Sequence, residues 1–399
     1  MPYDIEQHLP LVQENEYGGV NPPISDSATF TFHDPDRLKA SFGHDAPPGC
    51  FLYARATTPT AQHLAAALAR LEGTEAAHVT ASGMGAIVAT LLQRVNPGEE
   101  IVASHTIYGG TWALLANFFP RLGIKTHFAD FQDLHAVESL MSENTAVLYC
   151  ESLSNPLLRL PDLPSIAALA HRAQAMLVVD NTFTPLLISP ARLGADVVIH
   201  SLTKFINGAS DCVGGVTCGP AEFIDSLSDP SHGAAMLLGA VLDSLRAQGI
   251  YKNLATLEIR MRRHSENARF IAERLAEKGL AVTYPGLENH PEHKRFIALA
   301  NPGFGAGGIL ALDVGDASRA DALMRYLQQA GVGHLAVSLG FHHTLFSPSG
   351  SSTSSEIPPE IQERIGLTPG LIRFSIGLDP DIGATWGRFA SCLAKIGLD

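Results

Sequence analysis

The chain has 399 residues and a formal net charge of −13, because 40 acidic residues outnumber 27 basic ones. Nucleic-acid binding needs clustered Lys and Arg, so this balance disfavours nucleic acid as a partner. The hydrophobic fraction of 46% excludes a disordered composition. No run approaches the roughly 20 apolar residues of a membrane span, and the first ten residues do not form a signal peptide. We therefore expect a globular protein that binds neither nucleic acid nor membrane.

Cysteine and histidine usage gives no sign of a disulfide framework or a metal site. The five cysteines are odd in number and form no CxxC pair: Cys50, Cys150, Cys212, Cys218 and Cys392. His290 with His293, and His342 with His343, lack further ligands at a recognisable spacing. We expect no metal, and free thiols fit a reducing cytoplasm best.

The first 56 residues are irregular and rich in Pro, Gly, Asp and Ser. Such a stretch is typical of a disordered tail or of an arm that a partner subunit orders. Short apolar runs then alternate with helical patterns as far as residue 250. We predict strands at 75–80, 100–104, 145–151, 175–180 and 195–201, and helices at 60–73, 84–95 and 163–174. Continuous apolar strands between helices predict a mainly parallel sheet that is buried on both faces.

The pattern changes after residue 250. One long amphipathic helix pattern, with at most one break, covers 251–279. Beyond it we predict strands at 296–300, 308–314 and 371–378, a helix at 318–331 and a Ser/Pro-rich loop at 347–360. These elements predict a smaller α+β domain with an antiparallel sheet. The predicted division is an arm (1–56), a larger α/β domain (57–250) and a C-terminal α+β domain (251–399).

Polar residues follow three of the predicted parallel strands. Ligands bind beyond the carboxyl ends of such strands. Glu151 ends one strand, Asp180 ends the next, and a third runs into Ser201, Thr203 and Lys204. An aspartate at a strand end is as often a turn former, and a lone lysine is usually a solvated surface residue. Together, an amine, a carboxylate and two hydroxyls fit pyridoxal phosphate (PLP), which needs a lysine link, a carboxylate beside its pyridine nitrogen and donors around its phosphate.

Two glycine-containing segments have opposite interpretations. Residues 80–85 (TASGMG) lie between a predicted strand and helix, where a helix N-terminus could bind the phosphate. The alternative is an ordinary turn capped by Ser82. Residues 303–308 match GxGxxG, but an apolar strand pattern follows where a dinucleotide site requires a helix. We therefore interpret that segment as a loop between two strands and reject NAD binding.

Several motifs together resemble one known family. They are Tyr53-Ala54-Arg55, ASGMGAI (81–87), YGGT (108–111), ESLSNPLL (151–158), VVDNTF (178–183), HSLTKFINGASDCVGG (200–215), SLG (338–340) and LIRFSIGLD (371–379). From about Tyr17 to its end, the chain resembles the PLP-dependent transsulfuration enzymes of cysteine and methionine metabolism. That resemblance implies the aspartate-aminotransferase fold, PLP fold type I, with a large mainly parallel sheet and a smaller C-terminal α+β domain.

The resemblance also implies roles around the cofactor. Lys204 matches the lysine that holds PLP as a Schiff base and moves protons. Asp180 matches the partner of the pyridine nitrogen, and Tyr108 the tyrosine that stacks on the ring and serves as acid or base. The matches to the phosphate site are Gly83, Met84, Ser201 and Thr203. These positions make PLP the expected cofactor.

The remaining matches concern the substrate and a second subunit. Arg373 matches the arginine that binds the substrate carboxylate, and Asn155 and Ser338 match groups near the cofactor and that carboxylate. Tyr53 and Arg55 match residues that reach the phosphate from the neighbouring subunit, with Tyr53 also near the substrate. The arm then becomes a clasp between subunits, in a homotetramer built as a dimer of dimers with shared active sites.

Four functions remain open. The tail at 338–356 is most similar to plant-type methionine γ-lyases, which predicts γ-elimination of a sulfur amino acid to 2-oxobutyrate, ammonia and a thiol. The alternatives are γ-replacement on an O-acylhomoserine, cystathionine γ-lyase activity, and a non-catalytic binding protein. Gly110 stands where bacterial methionine γ-lyases have Cys, and His343 where many lyases of the family have Glu. Both positions bear on which small amino acid is the substrate.

Overall fold

The computed structural model describes residues 19–42 and 49–398. Much of the expected arm, residues 1–18 and 43–48, therefore lies outside the described residues. Helix α1 (Pro35–Ala40) belongs to the described part of the arm. The arm is attached to its own chain through Ser25, whose backbone N–H donates to Thr60 Oγ1 (2.8 Å) and whose carbonyl accepts from Ser244 Oγ (2.7 Å).

The larger sheet has seven strands in the order β1-β7-β6-β5-β4-β2-β3. They are β1 (Ala76–Thr80), β2 (Glu100–Ser104), β3 (Lys125–Ala129), β4 (Thr145–Glu151), β5 (Met176–Asp180), β6 (Val197–Ser201) and β7 (Gly215–Gly219). Strand β7 is antiparallel to both β1 and β6, and the other pairings are parallel. The predicted mainly parallel sheet is confirmed, with β3 and β7 in addition to the predicted strands.

Helices cover this sheet, and their ends follow local sequence signals. They are α2 (Pro59–Glu72), α3 (Gly83–Arg94), α4 (Gly109–Ala113), α5 (Leu134–Ser139), α6 (Leu163–Arg172), α7 (Ala221–Leu227), α8 (Ala234–Leu238) and α9 (Ser244–Leu254). Thr58 caps α2 by accepting from the backbone of Ala61, and Pro59 occupies the first turn. The helix ends at Gly73, whose φ of 74° suits glycine.

The C-terminal part contains a five-stranded sheet in the order β10-β11-β12-β9-β8. Its elements are α10 (Leu257–Glu277), β8 (Ala281–Thr283), α11 (His293–Leu299), β9 (Ile309–Asp313), α12 (Ala317–Gln329), β10 (His334–Leu335), β11 (Leu345–Pro348), α13 (Pro359–Ile365), β12 (Leu371–Ser375) and α14 (Ile382–Ala394). Strands β10 and β11 are parallel, whereas the other pairings are antiparallel.

Three predictions in this part need correction. The apolar run 296–300 is not a strand but lies mostly in α11, where Phe296 is buried. The GxGxxG segment therefore follows a helix rather than a strand, although strand β9 does come after it. The loop predicted at 347–360 includes the end of β11 and a short π-helical turn at Ser349–Thr353. The long helical pattern does break once, between α9 and α10.

The two sheets share a hydrophobic core. One cluster of buried side chains joins Val179 of β5 to Met261 of α10, Leu310 of β9 and Phe374 of β12. A second cluster covers the other face of the larger sheet and includes Tyr149. Both faces of the sheet are therefore covered, as parallel strands require. The division of the chain at residues 56 and 250 stays a prediction.

Residues 19–42 and 49–398 lack both a membrane-spanning helix and a metal-binding group of side chains. No helix in these ranges is long and apolar enough to cross a membrane. No group of three or more His, Cys, Asp or Glu side chains there is arranged to hold a metal ion. All five cysteines are free, and Cys150 in β4 and Cys218 in β7 are buried.

Candidate active site

A cavity of about 310 Å³ lies at the carboxyl ends of β4, β5 and β6. Its lining consists of Ser82, Gly83, Met84, Ile87, Tyr108, Glu151, Leu153, Asn155, Asp180, Thr182, Phe183, Ser201, Thr203, Lys204, Val213, Val337, Ser338, Leu339 and Arg373. Ten of the twelve residues predicted for the site line this cavity. The other two, Tyr53 and Arg55, lie elsewhere in the same chain. Most of the predicted residues thus lie together beyond the ends of parallel strands, where ligands are expected to bind.

Lys204 follows β6 and extends its amine into the cavity. Its Nζ donates to Ser338 Oγ at 3.2 Å. Burial, together with the positive charge of Arg373, lowers the pKa of Lys204 to about 8. Near neutral pH a much larger fraction of this amine is uncharged than for an ordinary lysine. An uncharged amine can attack a carbonyl carbon or accept a proton.

Asp180 ends β5 and is held by the turn that follows. Its Oδ1 accepts from the backbone N–H of Thr182 at 2.9 Å. The Thr182 hydroxyl in turn accepts from the backbone of Ser201 at 2.8 Å, which links β5 to β6. Burial raises the pKa of Asp180, while its hydrogen bonds with Thr182 lower it. A buried carboxylate in this position is suited to a cationic partner.

The turn before α3 forms a cradle for an anion. Ser82 caps the helix by accepting from Gly85 N at 2.9 Å. The first N–H groups of a helix have no acceptor inside the helix and carry partial positive charge. A Cβ on Gly83 would lie 2.8 Å from the Cβ of Ser201, so only glycine fits this close approach. Opposite the turn, Thr203 Oγ1 accepts from Gly214 N at 3.1 Å.

Arg373, on β12 of the smaller sheet, reaches the same cavity. Its Nη1 donates to Asn155 Oδ1 (3.0 Å) and its Nη2 to the carbonyl of Ser338 (2.9 Å). Its Nε is buried and has no hydrogen-bond partner within residues 19–42 and 49–398. Burial lowers the pKa of Arg373 to about 10, so the group remains charged at neutral pH. A buried guanidinium with a free donor is suited to a carboxylate ligand.

Tyr108 lies at the start of α4 and is partly exposed to the cavity. Its ring passes over Gly110, where a Cβ would approach the ring carbon Cε1 to 2.6 Å. Its backbone N–H donates to Glu151 Oε1 at 2.7 Å. Burial raises the pKa of Tyr108, and the negative charges of Glu356 and Glu151 act in the same direction. The hydroxyl therefore keeps its proton at neutral pH.

Several residues that line the cavity are not among those predicted for the site. Glu151 ends a predicted strand but was not predicted to belong to the site. It lies beside Asp180 in register, and burial together with the charge of Asp180 raises the pKa of Glu151 to about 8. Thr182 also directly follows a strand end and could have been found by the same rule. The apolar residues Leu153, Phe183, Val213, Val337 and Leu339 carry no motif that would have assigned them.

Tyr53 and Arg55 lie outside the cavity. Arg55 Nη1 donates to the carbonyl of Met236 in α8 at 3.2 Å. Its guanidinium carbon lies 5.8 Å from the centroid of the Tyr53 ring. Tyr53 is 44% exposed, which is high for a tyrosine. The structure thus does not bring these two residues to Lys204 of the same chain.

A family model for Cys/Met metabolism PLP-dependent enzymes matches residues 8–381. The chain belongs to this family. A methionine gamma-lyase from Arabidopsis thaliana is 43% identical over 386 residues, which cover 96% of this chain and 88% of that protein. The family resemblance expected from the sequence is therefore confirmed, and with it an enzyme that depends on PLP.

Solved structures support the same conclusion. A cystathionine gamma synthase from Xanthomonas oryzae pv. oryzae in complex with cystathionine has a TM-score of 0.88 at 32% identity, covering 98% of this chain and 97% of that chain. A Campylobacter jejuni chain that carries N'-pyridoxyl-lysine-5'-monophosphate also has a TM-score of 0.88, at 28% identity, covering 96% of this chain and 97% of the other. The expected PLP fold type I is thus confirmed.

The residues of the cavity fit PLP. Lys204 supplies an amine with a lowered pKa, and Asp180 supplies a buried carboxyl that forms no salt bridge with any residue in the ranges 19–42 and 49–398. A side chain at Gly83 would fill the space between the start of α3 and Ser201, and its absence suits an anion such as phosphate at the helix N-terminus. The unpaired Nε of Arg373 remains available to the carboxylate of an amino acid.

Proposed function

We propose that this enzyme catalyses γ-elimination of methionine or a close relative, giving 2-oxobutyrate, ammonia and a thiol. The observation that carries the proposal is the linkage of Lys204 to Arg373 through Ser338. Ser338 accepts from the amine through its hydroxyl and from the guanidinium through its carbonyl. An amino acid bound by its carboxylate at Arg373 is thereby held close to the lysine.

Three residues would then perform the chemistry on the substrate. PLP, when bound, supplies the electron sink for the pair of electrons that remains after a C–H proton is removed. Lys204, with a pKa near 8, accepts a proton at Nζ and can return it. Tyr108 keeps its hydroxyl proton because its pKa is raised, so it can protonate a leaving sulfur atom. Asp180 would balance positive charge on the pyridine nitrogen.

The apolar part of the lining favours an uncharged substrate side chain. Beyond Arg373, the cavity is bounded by Leu153, Val213, Val337 and Leu339. Val213 and Val337 are more than half exposed, so they lie at the cavity rim. Burying a thioether against such a surface is favourable, whereas a second charged group would lose its hydration there. The methionine gamma-lyase name of the Arabidopsis relative agrees with this choice.

The alternative is γ-replacement, in which a thiol bonds to the γ-carbon and displaces the group that leaves from it. The Xanthomonas cystathionine gamma synthase shares the fold at 32% identity, so the fold alone does not separate the two reactions. Cystathionine γ-lyase activity is an elimination, like the proposed reaction, but on a larger substrate. Only γ-replacement requires a second substrate.

One experiment separates these reactions. The purified holoenzyme is supplied with methionine, homocysteine, cystathionine or O-acetylhomoserine, each with and without sulfide. We expect 2-oxobutyrate from methionine without any acceptor. Turnover that appears only when sulfide is present would overturn the lyase proposal.

We also propose that the active site is completed by a second subunit. Tyr53 and Arg55 do not reach the cavity of their own chain, yet both match residues that act across a subunit boundary. Val20, Ile24 and Phe42 of the arm are each at least 48% exposed, which is unusual for large apolar side chains in an isolated chain. A homotetramer built from two such dimers, the three-part division of the chain and a cytoplasmic location remain proposals.

A further inference from the structure

Glu151 joins two loops that face the cavity. Its Oε1 accepts from the backbone N–H of Tyr108 at 2.7 Å. Its Oε2 accepts from the backbone N–H of Asn155 at 2.9 Å. Tyr108 lies 43 positions before Glu151 in the chain, so this carboxylate is what ties the start of α4 to the loop after β4.

The contacts continue from Asn155 to the lysine. Asn155 Oδ1 accepts from Arg373 Nη1 at 3.0 Å. Arg373 Nη2 donates to the carbonyl of Ser338 at 2.9 Å, and the hydroxyl of Ser338 accepts from Lys204 Nζ at 3.2 Å. An unbroken run of hydrogen bonds thus passes around the cavity from Tyr108 to Lys204.

Within this run, Glu151 has no chemical role of its own in the reaction proposed above. We propose that Glu151 is a positioning residue that fixes Tyr108 and Asn155 relative to each other, and so couples the cofactor side of the cavity to the substrate-carboxylate side. The inference rests on the proposed placement of PLP and of the substrate carboxylate, but not on which substrate is cleaved.

The chemistry of a carboxyl group explains why glutamate occupies this position. The group has two oxygens, and each of them can accept from one backbone N–H. Glutamine would place an NH₂ group against one of these N–H donors and would lose that contact. Aspartate would keep the charge, but its side chain is one methylene shorter and would not span both loops.

The burial of Glu151 indicates that the two contacts are important. The side chain is 7% exposed. Burial and the charge of Asp180 raise the pKa of Glu151, whereas the hydrogen bonds from the backbone N–H groups of Tyr108 and Asn155 lower it. The two contacts therefore offset part of the cost of burying this acid beside Asp180.

The test compares Glu151→Gln with Glu72→Gln. Glu72 is equally buried, but it accepts from His200 Nε2 (2.7 Å) and does not line the cavity. Apoenzymes are titrated with PLP, and holoenzymes with norleucine, by absorbance and visible circular dichroism. Norleucine carries a methylene in place of sulfur and has no leaving group. Its binding can therefore be measured whether or not methionine is cleaved.

We expect Glu151→Gln to weaken the binding of PLP and of norleucine by about tenfold each. We expect Glu72→Gln to stay within about twofold of the wild type for both ligands. Binding of both ligands at the wild-type level in Glu151→Gln would overturn the proposal. Weaker norleucine binding with unchanged PLP binding would also overturn it, because Glu151 would then serve Asn155 alone. If the Gln variant does not fold, Glu151→Asp is judged by the same two dissociation constants.

Discussion

The amine of Lys204 donates a hydrogen bond to the hydroxyl of Ser338, 3.2 Å away, across 134 positions of sequence. Lys204 follows a strand of the larger sheet, whereas Ser338 belongs to a loop of the C-terminal part. The contact therefore joins the two parts of the chain at the centre of the cavity. It also holds the lysine near Arg373, whose charge helps to lower the pKa of Lys204 to about 8.

The pH dependence of PLP attachment should follow the lowered pKa of Lys204. Attachment requires the uncharged amine, whose fraction increases as pH rises through the pKa. We expect the rate at which the apoenzyme takes up PLP to rise with a midpoint near pH 8, well below that of an ordinary lysine. Stopped-flow absorbance over a pH series measures this midpoint.

Arg373→Gln tests whether the charge of Arg373 contributes to the lowered pKa of Lys204. The positive charge of Arg373 disfavours the protonated lysine, so removing it should raise the midpoint. Arg295→Gln removes an arginine that binds Gln132 and the carbonyl of Leu160 away from the cavity, and should leave the midpoint near 8. An unchanged midpoint in Arg373→Gln would mean that burial alone sets the pKa.

The sequence predicted the polar residues at the strand ends better than their surroundings. Asp180 and Lys204 were found because both follow apolar strands, and parallel strand ends converge. Strand β3 (KTHFA) was missed because it is polar, and β7 (GVTCG) because two glycines mask its strand pattern. The apolar run 296–300 is too short for the spacing of its apolar residues to distinguish a strand from a helix.

Other features depend on tertiary structure. The contact between Ser338 and Lys204, and the two bonds to Glu151, join segments that no local pattern relates. The proposed role of Tyr53 and Arg55 requires a second chain. Sequence resemblance assigned these two residues, and the fold of one chain does not bring them to the cavity.

Gly110 should control the position of the Tyr108 ring. In Gly110→Ala the new Cβ would lie 2.6 Å from Cε1 of that ring, so the ring must rotate away. We expect kcat for methionine to fall about tenfold with little change in melting temperature, because the ring is at the cavity surface. Steady-state kinetics and thermal unfolding provide the two measurements.

The matched control is Gly249→Ala in α9, where a Cβ meets no atom within 4 Å. Alanine is the better helix former, so this variant should gain up to about 1 kcal/mol of stability and keep its kcat. Equal kinetics in the two variants would show that the Tyr108 ring does not depend on Gly110.

The stability of the apoenzyme should fall as pH rises from about 5 to 8. Burial raises the pKa of Glu151 to about 8 in the folded chain. A group with a raised pKa contributes stability below its unfolded pKa and loses that contribution as pH rises through the folded value. Urea unfolding of wild type and Glu151→Gln at several pH values measures this slope.

We expect the slope to be shallower in Glu151→Gln than in the wild type. A slope that is identical in the two proteins would assign the pH dependence to other groups.

Mixing two inactive variants should restore activity if sites are shared between subunits. Arg55→Ala should weaken PLP retention, and Lys204→Ala should remove the covalent link. A hybrid dimer would contain one site with both defects and one site with neither. We therefore expect partial recovery of activity after the two variants are unfolded and refolded together. If no activity returns although hybrids form, the arm serves its own subunit.

We propose that Lys204 carries PLP in a cavity built from both parts of the chain. Borohydride reduction of the holoenzyme, followed by peptide mass mapping, identifies the lysine that is linked to the cofactor. We expect a stable pyridoxyl group on the peptide that contains Lys204, and none on that peptide in Lys204→Ala. A reduced cofactor attached to any other lysine, or no attached cofactor in a protein that binds PLP, would contradict the account.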